Sequence, residues 1–296
     1  MKWGILSVLY LSLALHAQEQ PQLLIPKPRS EYDINHQYYV SLLDKALRKA
    51  ANGRPVPRLV ASYQMEQGRA LRELAKGEVL DVFWVGTDQE KEHQFRAIRI
   101  PLERGLMGFR KMTLHKDKQA LFDTIHSLQG LQRLTACQGA YWPDVSIMRT
   151  AGLKVLEAPV YENIFKQINA GRCDYFPRGL HEGLVELQLR HSLYPNLVRY
   201  PDLMLHYPFT VYFFTQKQHE ALAQWIEQGL EAMIDDGELL AHMQQSELTR
   251  QMFPLSQQAA SRWLLLKNPL LSPDTDYQNP RYWFVPADFG YLQEQP

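Results

Sequence analysis

The sequence predicts an α/β protein of two lobes, each built on an open, mostly parallel sheet, with two extended crossings joining them. Three features of the chain point to this architecture. Short apolar runs alternate with amphipathic helical stripes, the order that lays strands parallel around crossover helices. Glycines stand just past those stripes, at Gly53, Gly77, Gly152, Gly171 and Gly237, where helices stop. Two long stretches, 98–114 and 203–214, carry no helical stripe and divide the strand–helix units into two sets. At 296 residues the chain is also long for one small core.

The first lobe is expected to span residues 18–108 and 208–296, and the second 109–207. Leu23, Leu24 and Ile25 form a first strand, closed by Pro26 and Pro28. A polar loop with Arg29, Ser30, Tyr32 and Asp33 leads into a helix striped by Val40, Leu43, Leu47 and Ala50. A strand at 59–61 and a helix at 65–76 follow, and the strand at 80–85 brings Trp84 and Thr87 to the same edge as the first loop. Beyond the first crossing come a helix at 119–126, a strand at 134–137 and a loop with Tyr141 and Trp142. Pro143 then opens a helix, where its missing N–H costs nothing. After a strand at 154–156 and a helix carrying Ile164, Phe165 and Ile168, residues 173–176 read as a buried strand broken by Pro177, Arg178 and Gly179. The return crossing leads to an amphipathic helix at 220–234, and the tail from 268, rich in proline and aromatics, is expected to wrap the surface.

Equal numbers of basic and acidic residues, 32 each, argue against a nucleic-acid or membrane-surface partner, since both need a basic face. Lys2, the apolar run 5–15 and Ala17 have the form of a signal peptide over residues 1–17, with a run too short to span a bilayer. A soluble exported monomer is expected, periplasmic in a Gram-negative bacterium, with no membrane insertion after cleavage. Cys137 and Cys173 can form a disulfide or stay as two buried thiols.

Ligands of open α/β sheets sit at the carboxyl ends of strands, where helix N-termini present unpaired N–H groups. Arg178, with Glu182 four residues on, is a cation at that edge; the competing reading pairs it with a surface carboxylate. Trp84 is read as either core or a stacking surface.

On the DVFWVGT strand and its link to IRIPLERGLMGFRK, the CQGAYWPD loop, the GRCDYFPRG stretch and the helix ending in Asp235, Asp236 and Gly237, the chain resembles the type II periplasmic solute-binding proteins. The resembling branch is the one related to the polar-amino-acid binding family, and it covers roughly residues 23–245. The resemblance implies a periplasmic-binding-protein-like fold whose lobes close over a ligand, with hinges near Gly108 and Tyr207. It makes Arg104 the candidate for a ligand carboxylate, with Arg110 as a register-shifted alternative. The acid that would hold an amino group is missing, because Arg178 and Gly179 stand in its place. Arg104 and Arg178 together therefore suggest an anionic ligand, in a site completed by Arg29, Ser30, Tyr32, Trp84, Thr87, Tyr141, Trp142 and Glu182.

The chain has no G-x-S-x-G elbow, H-E-x-x-H, phosphate-binding Gly-Lys loop or paired cysteines at metal spacing, so no catalytic residue, metal or cofactor is expected. The expected partners are a small-molecule ligand and an ABC transporter permease or membrane sensor. The competing readings are a periplasmic enzyme on the same fold, such as a dehydratase or lyase, and a scaffold whose cleft does not close.

Overall fold

The structure, a computed structural model, describes residues 20–291. The predicted signal peptide lies outside the described residues. Among those residues no helix is long and apolar enough to cross a membrane.

In the first lobe, β1 (Gln22–Lys27), α1 (Ile34–Lys49) and β2 (Arg58–Gln64) form a strand–helix–strand unit whose strands pair in parallel. Helix α2 (Gln67–Lys76) stops at Gly77, whose φ of +70° is the left-handed C-terminal conformation that glycine adopts most cheaply. Strand β3 (Val82–Gly86), short helix α3 (Gln89–Gln94) and strand β4 (Arg96–Ile98) follow. The first crossing is not continuously extended. A turn at residues 101–108, with Arg104 and Gly105 at φ of +52° and +73°, separates β4 from β5 (Phe109–His115).

Beyond β5 come α4 (Gln119–Asp123), α5 (Leu128–Leu131), β6 (Thr135–Gly139), α6 (Pro143–Thr150) and β7 (Lys154–Ala158). Then come α7 (Tyr161–Asn169), β8 (Phe176–Gly179), α8 (Leu180–Arg190) and β9 (Leu197–His206). The chain returns through β10 (Val211–Thr215) and finishes with α9 (Glu220–Asp235), α10 (Glu238–Gln245) and β11 (Arg262–Leu265). The sheets are more mixed than predicted. Strands β1–β2, β6–β7 and β9–β11 are parallel, but β10 lies antiparallel between β3 and β4, and β5 antiparallel between β8 and β9. The crossings are themselves strands, and each enters its sheet against the direction of its neighbours.

Strand β8 begins later than predicted. Tyr175 makes a parallel bridge to Ala136, and the ladder with β5 runs from Phe176 to Gly179, so Pro177 and Arg178 lie inside a strand. Cys137 and Cys173 form a disulfide with Cα atoms 5.6 Å apart, buried beside Ile164, Phe165 and Phe176.

The two crossings touch. The Tyr207 N–H donates to the Gly108 carbonyl at 3.2 Å, and a Cβ on Gly108 would stand 2.4 Å from the Tyr207 carbonyl oxygen. The tail adds a third connection. Leu266 continues the pairing along β9 at His206, Gln89 donates to the Leu270 carbonyl at 3.0 Å, and the Phe284 N–H donates to the Arg104 carbonyl at 2.7 Å. Trp283 packs on Gly105, and the Phe289 and Phe109 rings lie 4.2 Å apart.

Helices α1 and α9 cross so closely that a Cβ on Gly229 would lie 2.0 Å from the Ala46 carbonyl oxygen. Trp225 Nε1 donates to the Leu47 carbonyl at 2.9 Å in the same contact. Gly229→Ala gains about 1 kcal/mol of helix propensity. Overpacking against backbone costs about 1–3 kcal/mol, and a 2.0 Å contact sits at the costly end. Urea denaturation should therefore show a net loss; an unchanged or raised midpoint would mean that the helices shift apart freely.

Candidate functional site

A cavity of about 110 Å³ lies where the strand ends of the two lobes face each other. The first lobe supplies the β1–α1 loop, the first turns of α1 and the end of β3; the second supplies Trp142, Arg178 and Glu182. Half-buried Trp84 lines one side. Its ring is fixed by the edge of His36 at 5.5 Å, by Tyr39 at 5.7 Å and by Phe213 at 6.3 Å. Tyr39 donates its hydroxyl to Glu103, which is fully buried. Burial pushes the Glu103 carboxyl up to about 8, although the Tyr39 bond pulls it down.

On the facing side, Trp142 stands at the N-terminal boundary of α6, just before Pro143. Arg178 is buried, with its guanidinium 5.1 Å from the Trp142 ring centroid and 5.0 Å from that of Phe176. It donates to Glu186 from Nε at 2.9 Å and Nη2 at 2.6 Å, and to Glu182 from Nη2 at 2.6 Å. Burial opposes the charge on Glu186, but Arg178, Arg190 and the Tyr161 hydroxyl hold its pKa below the usual carboxylate range.

The lobes meet through side chains around this cavity. Asn35 Nδ2 donates to Glu182 at 2.7 Å, Ser30 Oγ to Glu162 at 2.7 Å, and Gln67 Nε2 to the Tyr141 carbonyl at 2.7 Å. Arg29 pairs with Asp33 at 3.0 Å and lies 4.5 Å over the Tyr161 ring. Arg190 lies over Tyr32 at 5.1 Å.

No family model matches the chain, and no curated protein matches its sequence. Solved structures do match in shape. One is an amino acid ABC transporter substrate-binding protein from Streptococcus pneumoniae bound to L-arginine, with a TM-score of 0.56, 12% identity, 78% of this chain covered and 95% of that one. A mutant of ArgBP from T. maritima gives 0.55 and 13%, covering 77% and 95%. A periplasmic His/Glu/Gln/Arg/opine family-binding protein from Silicibacter pomeroyi in complex with lysine gives 0.52 and 12%, covering 71% and 85%. The fold is that of the type II periplasmic binding proteins.

Within this binding-protein fold the predicted site residues separate. Arg29, Trp84, Trp142, Arg178 and Glu182 line the cavity. Ser30 and Tyr32 line a neighbouring shallow hollow with Glu162. Thr87 is buried, donating to Glu92 at 2.7 Å, and Gly86 takes its place at the cavity. Tyr141 is 72% exposed; its ring packs on Gly68 rather than lining the cavity.

Arg104 faces away from the cavity. It donates to the Pro280 carbonyl, and its guanidinium lies 4.7 Å from the Phe284 ring centroid, so the tail holds it. Arg110, the alternative, is buried and paired with Asp144 at 2.7 Å. The expected anion clamp is thus not supported, because Arg178 is neutralised by two carboxylates of its own lobe and Arg104 is turned toward the tail.

Asn35, His36, Tyr39 and Phe209 also line the cavity and were not predicted. Asn35, His36 and Tyr39 sit on the first turns of α1, directly after the polar loop. Their spacing of one and four residues on a helix start was the signal that could have found them.

Proposed function

We propose that the chain is an exported solute-binding protein that traps a small, neutral or zwitterionic polar solute between its lobes for a membrane transporter or sensor. The observation that carries this reading is the aromatic-walled cavity at the facing strand ends, closed by contacts between the lobes. Its charged walls are largely self-compensated, Arg29 by Asp33 and Arg178 by Glu182 and Glu186, which favours a ligand without net charge. The solved neighbours that hold arginine and lysine support amino acids as the first compounds to try. At about 110 Å³ the cavity is smaller than the roughly 150 Å³ that accommodates benzene, so a long side chain enters only if the lobes part. The Cys137–Cys173 disulfide supports an oxidising, exported setting. Lobe boundaries at 18–108 with 208–296 and at 109–207, hinged near Gly108 and Tyr207, complete the reading.

The test is a thermal-shift panel of amino acids, small amides, sugars and organic acids. A ligand at a hundred times its dissociation constant adds about 2.7 kcal/mol. For a chain of this size each kcal/mol raises Tm by about 2–4 °C. With the ligand in hand, Trp84→Ala should weaken binding about tenfold through lost apolar contact. A panel in which nothing moves Tm, or a Trp84→Ala variant with unchanged affinity, overturns the proposal.

A further inference from the structure

A second hollow, of about 570 Å³, lies between the tail and the return crossing and shares no lining residue with the interlobe cavity. Three connecting segments meet at it. Gly105 comes from the turn at 101–108, His206 and Pro208 from the return crossing, and Trp283, Phe284 and Tyr291 from the tail. Leu265 and Tyr277, which also line it, are 42% and 41% exposed, so apolar surface faces water in a concave place. Among the described residues no charged side chain lines the hollow, so an ion entering it would shed hydration without compensation.

The polar group held in a fixed orientation here is the His206 imidazole. Its ring stacks on Phe109 with centroids 4.3 Å apart, and its Nδ1 lies 3.2 Å from the Gly108 carbonyl oxygen. A carbonyl can only accept, so Nδ1 carries the proton and the lone pair of the neutral ring is on Nε2. Burial pushes this imidazole down to about 4, against the pull of the Gly108 carbonyl, so the ring is neutral at physiological pH. Nε2 has no hydrogen-bond partner among the described residues, and packing does not seal it off, because half-buried His206 forms part of the wall. The other polar side chains of the wall, Tyr277 and Gln278, are exposed and meet water.

We propose that this hollow binds an uncharged, planar aromatic compound of at least two fused rings, whose hydroxyl or N–H donates to His206 Nε2. The size follows from the volume, since about 150 Å³ accommodates benzene and 570 Å³ leaves a single ring loose. The shape follows from the walls, where Trp283, Phe284 and Tyr291 offer ring surfaces to pack on. The donor follows from His206, whose neutral ring, with Nδ1 committed to Gly108, can only accept.

The probe is β-naphthol, titrated into the full chain and compared with its methyl ether, which keeps the rings and lacks the donor. Affinity is read from the emission of the naphthalene ring, and the contact from the imidazole ¹⁵N resonances, with His206 assigned by its absence in His206→Phe. The expected result is an Nδ1–H tautomer whose Nε2 resonance shifts saturably with β-naphthol, which should bind roughly two- to tenfold tighter than the ether. His206→Phe keeps a ring on Phe109 and loses the acceptor, so the two compounds should bind it alike. Leu265→Glu, at an exposed position, should weaken both compounds. An Nε2–H tautomer, no saturable shift, equal affinity of the two compounds in the parent chain, or a preference that persists in His206→Phe overturns the proposal. So does binding that appears only after residues 292–296 are removed, which would give the hollow to this chain's own segment. Self-association that Leu265→Glu abolishes, without any binding of β-naphthol, would give it to a second copy and overturn the proposal as well. Trp84→Ala should leave this titration unchanged, which separates its failure from that of the interlobe trap.

Discussion

Replacing Arg178 by alanine should destabilise the fold by about 3–5 kcal/mol, the loss typical of breaking a buried ion pair from one side. Arg178, Glu182 and Glu186 are each at most 3% exposed, so neither carboxylate has water to fall back on. After the substitution Glu186 keeps the Tyr161 hydroxyl and Glu182 keeps Asn35, but the cation that balanced both is gone.

The pH dependence carried by Glu186 should then reverse, whereas that of Glu182, whose pKa burial already raises in the parent chain, keeps its sign. In the parent chain Glu186 is held below its ordinary value, so its contribution is complete above the unfolded carboxylate pKa and is lost as pH falls through the lower folded value. Without Arg178, burial dominates and raises the folded pKa above the unfolded one. The folded state then binds protons preferentially, and the variant recovers stability as pH falls from about 8 to about 5. Urea denaturation at both pH values measures this, and the triple replacement Arg178→Met, Glu182→Gln, Glu186→Gln should regain most of the loss. A change of less than about 1 kcal/mol, with no difference in pH trend, would show that Arg178 is not the keystone of this cluster.

Removing the disulfide should have a comparable effect. The bond joins residues 36 apart in sequence, and closing a loop of that length in the unfolded chain corresponds to about 3–4 kcal/mol on the chain-entropy account. Native strain does not arise from distorted pairing here. The segments are already joined by the Cys137 N–H donating to the Tyr175 carbonyl at 2.8 Å and the Asp174 N–H to the Thr135 carbonyl at 2.7 Å. Cys137→Ala with Cys173→Ala should therefore lower the denaturation midpoint while leaving the strand pairing intact. Equal midpoints, or two titratable thiols in protein purified under oxidising conditions, would contradict this.

Local signals made much of the fold legible. The buried residues Leu43 and Leu47 lie on the stripe read for α1, Gly77 adopts the left-handed conformation that its position implied, and Pro143 opens α6. The register of β8 was not legible, because Pro177 normally argues against a strand interior. Tyr175 bridges to β6 and Pro177 faces Met112 of β5, so the tertiary setting overrode that preference.

The site was read in part for a related reason. The partners of Arg178 stand four and eight residues on, one helical face of α8, and that spacing was visible as a local ion-pair pattern. The acceptor for Arg104 is Pro280, 176 residues away, where no periodicity could point to it. Charge seen in a sequence is a count of donors; whether a ligand can claim them depends on pairings that only the packed chain fixes.

The tail bears on the energetics of the proposed trap. Two crossings alone let paired lobes swing and twist about a common axis. Here a third segment pairs with β9 at His206, meets Gln89 beside β3 and then folds back over Arg104 and Gly105. Twisting would have to strip Phe289 from Phe109 and Trp283 from Gly105. The open state of such a molecule samples fewer geometries, so less conformational entropy is surrendered when the lobes shut. For the proposed trap, that smaller entropic loss would make closing over a solute less costly than with two crossings alone.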